Sequence, residues 1–186
     1  MQITHTFEVA RPLPAVWEQF QDVEAVAQCL PGASLEASKG DGVYEGKISV
    51  KLGPISATFE GQAMISADPS SHTASIDGKG VDRRGGSRGQ VKVNYALIET
   101  EGAATQVTID ADISLAGPAA QFGRTGLINE MSRRLISDFV GCLEQKMAAP
   151  SEEAAASIEV GEVKPFRLFW SSLITWLRSL FGKKPS

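Results

Sequence analysis

The sequence predicts an α+β fold in which a curved antiparallel sheet of about seven strands wraps around one long helix, leaving an apolar cavity between them. Three observations predict it. Apolar residues recur at helical spacing over 118–147, from Phe122 through Leu127, Ile128, Met131, Leu135, Phe139, Cys142 or Leu143, to Met147. Between Ala33 and Leu115 the hydrophobic period switches to two. A rod of about 28 residues is about 40 Å long, so it needs a broad curved apolar surface rather than one small neighbour.

Taken in order, Ile3, His5, Phe7 and Val9 alternate with Thr4, Thr6 and Glu8 as a half-buried strand that Pro12-Leu13-Pro14 ends. Two short helices follow. Val16, Trp17 and Phe20 line one face of the first, and Asp22 is placed to cap the second, which carries Val23, Val26 and Leu30. Pro31-Gly32 closes the pair. The strands come next: Tyr44 with Ile48, Val50 and Leu52; Ile55 with Ala57, Phe59, Ala63 and Ile65; Ala74 with Ile76; Val91 with Val93, Tyr95 and Leu97; and Val107 with Ile109, Ala111, Ile113 and Leu115. Gly40-Asp41-Gly42, Asp68-Pro69-Ser70 and Glu101-Gly102 fall at hairpin spacing. One face is dry and the other wet. Gly117 and Pro118 mark the start of the long helix, and Pro150 limits its end.

Gly46, Gly61, Gly78 and Gly80 all sit at dry-face positions. Strand glycines mark bulges or close approach, and several on one face also leave room. The cavity then has an apolar lining with a few polar groups, the usual make-up of a small-molecule pocket. We expect it to be lined by His5, Phe20, Ile48, Val50, Phe59, Gly61, Ile76, Gly78, Val93, Tyr95, Ile109, Phe122, Met131 and Leu135, with Thr105 as a further polar group.

Catalytic chemistry is hard to assemble. The chain has two histidines, His5 and His72, and no ligand spacing suited to a metal. There is neither a Gly-x-Ser-x-Gly elbow nor a Cys/His nucleophile pair. Asp110 and Asp112 share the wet face, where a solvated pair is expected rather than an acid/base pair. Cys29 and Cys142 show no Cys-x-x-Cys pattern and read as reduced cytoplasmic thiols. The run from Gly78 to Gly89 is basic and glycine-rich but lacks a P-loop ending. Its arginines Arg83, Arg84 and Arg88 read as a docking loop for an acidic partner surface, or as a lid, on an otherwise mobile hairpin tip.

The C-terminal part changes character. Residues 148–164 are rich in Ala, Ser and Glu and read as a flexible linker between the 1–147 domain and a 165–186 helix. In that segment Phe166, Phe169, Trp170, Leu173, Ile174, Trp176, Leu177, Leu180 and Phe181 fill an arc of roughly 160° on a helical wheel. Arg167 and Arg178 lie on the opposite side, and Lys183 and Lys184 follow. A polar stripe with two arginines fits a helix lying in the membrane interface, not one spanning it. All 22 acidic residues precede this segment, so an acidic body carries a basic tip, which argues against nucleic acid as partner. The first residues have neither a basic nor an apolar leader pattern, so the expected location is cytoplasmic, peripheral on the inner face of the cytoplasmic membrane.

Phe7-x-Val9, Val16-Trp17-x-x-Phe20 and Pro31-Gly32-Ala33 resemble the START-like (SRPBCC) helix-grip superfamily of lipophile-binding domains. Lys51-Leu52-Gly53-Pro54-Ile55, Phe59-x-Gly61, the Gly78-Lys79-Gly80 to Gly89 run and Gln121-Phe122-Gly123-Arg124 narrow this to a resemblance to the carbon monoxide dehydrogenase G-subunit family, over about residues 2–147. The resemblance implies a non-catalytic accessory protein that helps place a molybdenum hydroxylase of the carbon monoxide dehydrogenase type at the membrane. It implies no catalytic residues to carry over. Joined with the apolar cavity, it leads us to expect anionic membrane lipids and a small lipophile as further partners. An isoprenoid quinone is then the expected carried ligand, with no metal or covalent cofactor. A pure membrane adapter without ligand, and a START-like cyclase or hydrolase, are the alternatives.

Overall fold

The structure is a computed structural model that describes residues 1–52, 55–124, 127–150 and 152–160. Strand β1 (Gln2–Val9) leads into α1 (Leu13–Gln21) and α2 (Val23–Gln28). Six strands follow: β2 (Ala33–Gly40), β3 (Val43–Leu52), β4 (Ile55–Asp68), β5 (Thr73–Asp82), β6 (Ser87–Thr100) and β7 (Ala104–Ala116). A 3-10 segment (Gly117–Arg124), α3 (Leu127–Ala148) and a short α4 (Glu152–Ala156) complete the described chain. All seven strands form one antiparallel sheet in the order β1-β7-β6-β5-β4-β3-β2, so every neighbour except β1–β7 is a hairpin.

The helix starts follow local chemistry. Pro12 precedes α1 in extended conformation, and Asp22 Oδ1 accepts the Ala25 N–H at 3.0 Å to cap α2. The β2–β3 turn places Gly40, Asp41 and Gly42 at positive φ, which glycine adopts without steric penalty. On the outer face, short polar pairs run across strands: Thr4 donates to Asp110 at 2.6 Å, and Gln62 donates to Glu45 at 3.1 Å. Lys39, 3.0 Å from Glu45, joins Gln62 in holding the Glu45 carboxyl below its usual range.

Gly46, Gly61, Gly80 and Gly89 stand opposite one another across β3, β4, β5 and β6, forming one side-chain-free line through the sheet. A Cβ on Gly46 would lie 2.5 Å from the Ser34 carbonyl oxygen, and one on Gly61 would strike the Lys79 carbonyl. Backbone therefore occupies that space, and the line is a crease along which the sheet bends. At Gly80 and Gly89 the Phe59 side chain fills it, with its Cβ 3.1 Å from a Gly80 Cβ. Gly78 is covered by a Val91 methyl at 2.9 Å. These glycines thus supply curvature. The expectation that Gly61 and Gly78 line open space is corrected accordingly.

Four further expectations are corrected. Cys29 and Cys142 are not free thiols: they form a disulfide, with Cα atoms 5.4 Å apart, joining the end of α2 to α3. Sequence alone could not show that residues 113 apart meet at the same depth in the core. The helix expected from residue 118 is 3-10 over Gly117–Arg124, after Gly117 at positive φ, and α-helical over Leu127–Ala148. The glycine–arginine run is mostly strand, and only residues 83–86 form a turn. Buried Asp82 fixes that turn by accepting the Arg84 and Gly85 N–H groups at 3.1 and 3.0 Å, so it is no loose tip.

The linker is the fourth. Its described part is seated on the domain. Lys146, only 4% exposed, donates to Gln28 Oε1 at 2.7 Å and to the Ala155 carbonyl at 2.8 Å. Val160 N–H donates to the Gln28 carbonyl at 3.2 Å, and Ile158 and Val160 pack against the main core. The domain therefore extends to residue 160. The membrane residues expected over 165–186 lie outside the described residues.

Candidate functional site

Two apolar clusters sit between the sheet and the helices, at opposite ends. The larger gathers Val9, Val16, Phe20, Tyr95, Leu97, Val107, Phe139, Leu143 and the disulfide beneath α1 and α2. Aromatic edges close it: Phe20 lies 5.2 Å from Tyr95 and 6.0 Å from Phe139, and Trp17 abuts His72 of the β4–β5 turn at 5.3 Å. The smaller consists of Ala119 with half-buried Val50, Phe59, Leu115 and Met131. It lies where β7 ends and the 3-10 segment begins.

Between the clusters, Ile48, Ile65, Val93, Ile113, Leu135 and Ile136 keep accessible surface and, among the described residues, pack against neither cluster. Half-buried apolar side chains of this kind are what an apolar space between sheet and α3 would present as its lining. Of the residues expected to line a cavity, His5, Ile48, Val50, Phe59, Val93, Met131 and Leu135 are half-buried, and Val50, Phe59 and Met131 pack in the small cluster. Ile76 and Ile109 are half-buried at the edge of the large cluster. Phe20 and Tyr95, 8% and 7% exposed, belong to the closed core instead. The side chain of Phe122 lies outside the described residues.

The polar groups on the inner side have partners. His5 Nε2 lies 3.1 Å from Ser132 Oγ, a hydrogen bond that joins β1 to α3. Thr105 Oγ1 donates to the Arg11 carbonyl at 2.8 Å, so this fully buried hydroxyl fastens the end of β1 and does not face the space. Burial pushes the Tyr95 hydroxyl above the usual tyrosine value, and its hydrogen bond with Gln21 opposes that rise. On the wet face Asp112 pairs with the N-terminal ammonium at 3.1 Å, and Asp110 accepts from Thr4. Among the described residues no group of three or more His, Cys, Asp or Glu is placed to hold a metal. Surface depressions of about 380 and about 570 Å³ lie on the outer face, lined by polar side chains such as Asp68, Asn94, Gln62 and Lys92.

Two motifs far apart in sequence meet at the small-cluster end. The turn at 83–86 rests on the start of the 3-10 segment, where a Cβ on Gly117 would meet the Gly86 carbonyl. Ser87 Oγ, buried, accepts the Ala119 N–H at 3.1 Å. Arg83, Arg84 and Arg88 are exposed there and make no ion pair among the described residues. The structural consequence of Lys146 escaped the sequence reading, because a lysine at an i+4 step from Cys142 looks like a stripe edge.

Solved structures share this architecture. A conserved protein from Geobacillus kaustophilus is 17% identical over 80% of this chain and 95% of its own, with a TM-score of 0.70. An aromatase/cyclase from a Streptomyces species is 18% identical, with a TM-score of 0.56 over 78% of this chain and 94% of its own. A START superfamily protein from Mycobacterium smegmatis is 18% identical, with a TM-score of 0.54 over 77% and 97%. At such identities the likeness establishes the fold, a START-like helix-grip domain. No curated protein matches the sequence. Residues 6–148 match the carbon monoxide dehydrogenase G subunit (CoxG), and with that match covering most of the chain, the protein belongs to the CoxG family.

Proposed function

We propose that the protein is a non-catalytic accessory component that takes a lipophile into the space between sheet and α3 and serves a molybdenum hydroxylase of the carbon monoxide dehydrogenase type. The observation that carries this reading is the set of inward apolar side chains, Ile48, Val93, Ile113 and Leu135 among them, that keep accessible surface and pack against neither cluster. Family membership supplies the enzyme class. A respiratory quinone fits the chemistry of the lining: its isoprenoid tail matches the aliphatic residues, and the His5–Ser132 pair offers a polar contact for a carbonyl oxygen. Delivery of that quinone as electron acceptor requires the protein to work at the cytoplasmic membrane. The amphipathic 165–186 segment supports a peripheral, inner-face location. Among the described residues no helix is long and apolar enough to cross a membrane.

The test is mass spectrometry of the organic extract of protein purified from its own host. Stoichiometric quinone supports the carrier. An empty extract from folded protein sinks it and leaves a ligand-free adapter. Catalysis by the domain itself would depend on His5 or Tyr95, both already engaged. Turnover of any substrate that disappears in a His5→Ala variant would overturn the non-catalytic reading.

A further inference from the structure

The molecule is electrically polarised along the helix axis. At the large-cluster end the turns and helix starts carry Asp22, Glu24, Asp68, Glu99 and Glu101. At the small-cluster end Arg83, Arg84 and Arg88 are exposed, with Lys51 exposed near the tip of the β3–β4 hairpin. Asp82, the acid of this turn, is buried and already accepts two N–H groups, while exposed Glu60 on β4 stands directly opposite Val81 and borders the patch. Val81 itself is 41% exposed, an apolar side chain standing directly opposite Arg88. Three arginines and a lysine around an exposed aliphatic side chain outnumber that carboxylate and form a surface suited to anionic lipid headgroups.

The same end holds the small apolar cluster. Ser87 and Gly86 support the 3-10 segment, and Ala119 of that segment touches Val50, Phe59, Leu115 and Met131. We infer that this end of the domain docks against an anionic lipid bilayer, with the arginine turn among the headgroups and Val81 at the acyl boundary. The assignment concerns the domain's own surface and not the C-terminal segment. The acidic far end is repelled by the same surface, so the charge separation selects one orientation. Each arginine near such a surface contributes about 1 kcal/mol, so removing three lowers the docked population on the order of a hundredfold at low salt.

The experiment uses the full chain with a nitroxide at Ala116→Cys, an exposed position opposite Arg88, and separately at Glu101→Cys in the far turn. The native cysteines are disulfide-bonded and take no label. On phosphatidylglycerol-containing vesicles, the label at 116 should lose collisions with a water-soluble relaxant and gain them with oxygen. The label at 101 should stay aqueous. Adding R83Q, R84Q and R88Q should return the label at 116 to water while the chain still sediments with the vesicles. A label at 116 that stays aqueous on vesicle-bound protein overturns the proposal, as does an Arg-free variant that behaves like the parent. A label shielded only when the partner enzyme is added assigns the surface to an acidic protein and overturns it too. Extracted lipophile with an aqueous label defeats this inference alone; a lipid-facing label with an empty extract defeats the carrier reading alone.

Discussion

Replacing Cys29 and Cys142 with alanine severs the one covalent link between α2 and α3 among the described residues. The closed loop spans a sequence separation of 113, one of the long loops for which chain-entropy models give the largest effect. With that length the loop-closure relation gives about 4.8 kcal/mol at 25 °C. For a domain of this size the corresponding fall in Tm is roughly 10–20 °C. The assay is guanidinium and thermal unfolding with and without dithiothreitol. The parent should shift by that amount on reduction, and C29A/C142A should already be shifted and ignore the reductant. Alkylation of native protein under denaturing, non-reducing conditions should find no thiol. Two alkylated cysteines in aerobically purified protein, or a Tm indifferent to reductant, would refute the reasoning. The residues are 0% and 4% exposed, so reduction of the folded state must wait for opening. This matters for compartment, because a reducing cytoplasm disfavours disulfides and burial slows the reduction of one.

Three more outcomes follow from the packing. Gly61→Ala drives a Cβ into the Lys79 carbonyl and should cost about 1–3 kcal/mol in chemical denaturation, whereas Gly141→Ala in α3, with open space at its Cβ, should stabilise by about 0.5–1 kcal/mol. Lys146→Met leaves Gln28 Oε1 and the Ala155 carbonyl without their donor, so hydrogen exchange should speed up across 152–160 and stability should fall by about 1–3 kcal/mol. Tyr95 is held protonated by burial, so its folded pKa lies above the unfolded value of about 10. Its stabilising contribution is complete below that value and is lost as pH rises through the folded one. Stability of the parent should therefore fall above pH about 10, and Tyr95→Phe should remove that part of the fall in alkaline denaturation.

The strand alternation and the helical stripe made the sheet and α3 legible because each period repeats over many residues. His5, Ile48 and Val93 could be assigned to the inner face for the same reason. What could not be read was which inward residues close-pack. Phe20 and Tyr95 look in sequence like Phe59 and Val93, yet α1 folds over the first pair and leaves the second pair half-covered. The glycine line was visible only in part, as Gly46, Gly61 and Gly80 among separate dry-face glycines, with Gly89 read as the end of the basic run. Their alignment depends on the hairpin registers, and only that alignment turns spare volume into a bend. Lys146, Gln28 and the disulfide share one site that no spacing rule connects.

Gln28 also fixes a point of departure. Its carbonyl accepts the Val160 N–H, so residue 160 has a set place beside α2. From there to residue 165 the backbone can reach at most about 17 Å. Residue 165 is thereby kept within one short radius of a known address on the domain, so a surface that holds the start of the following segment must come within that radius of α2.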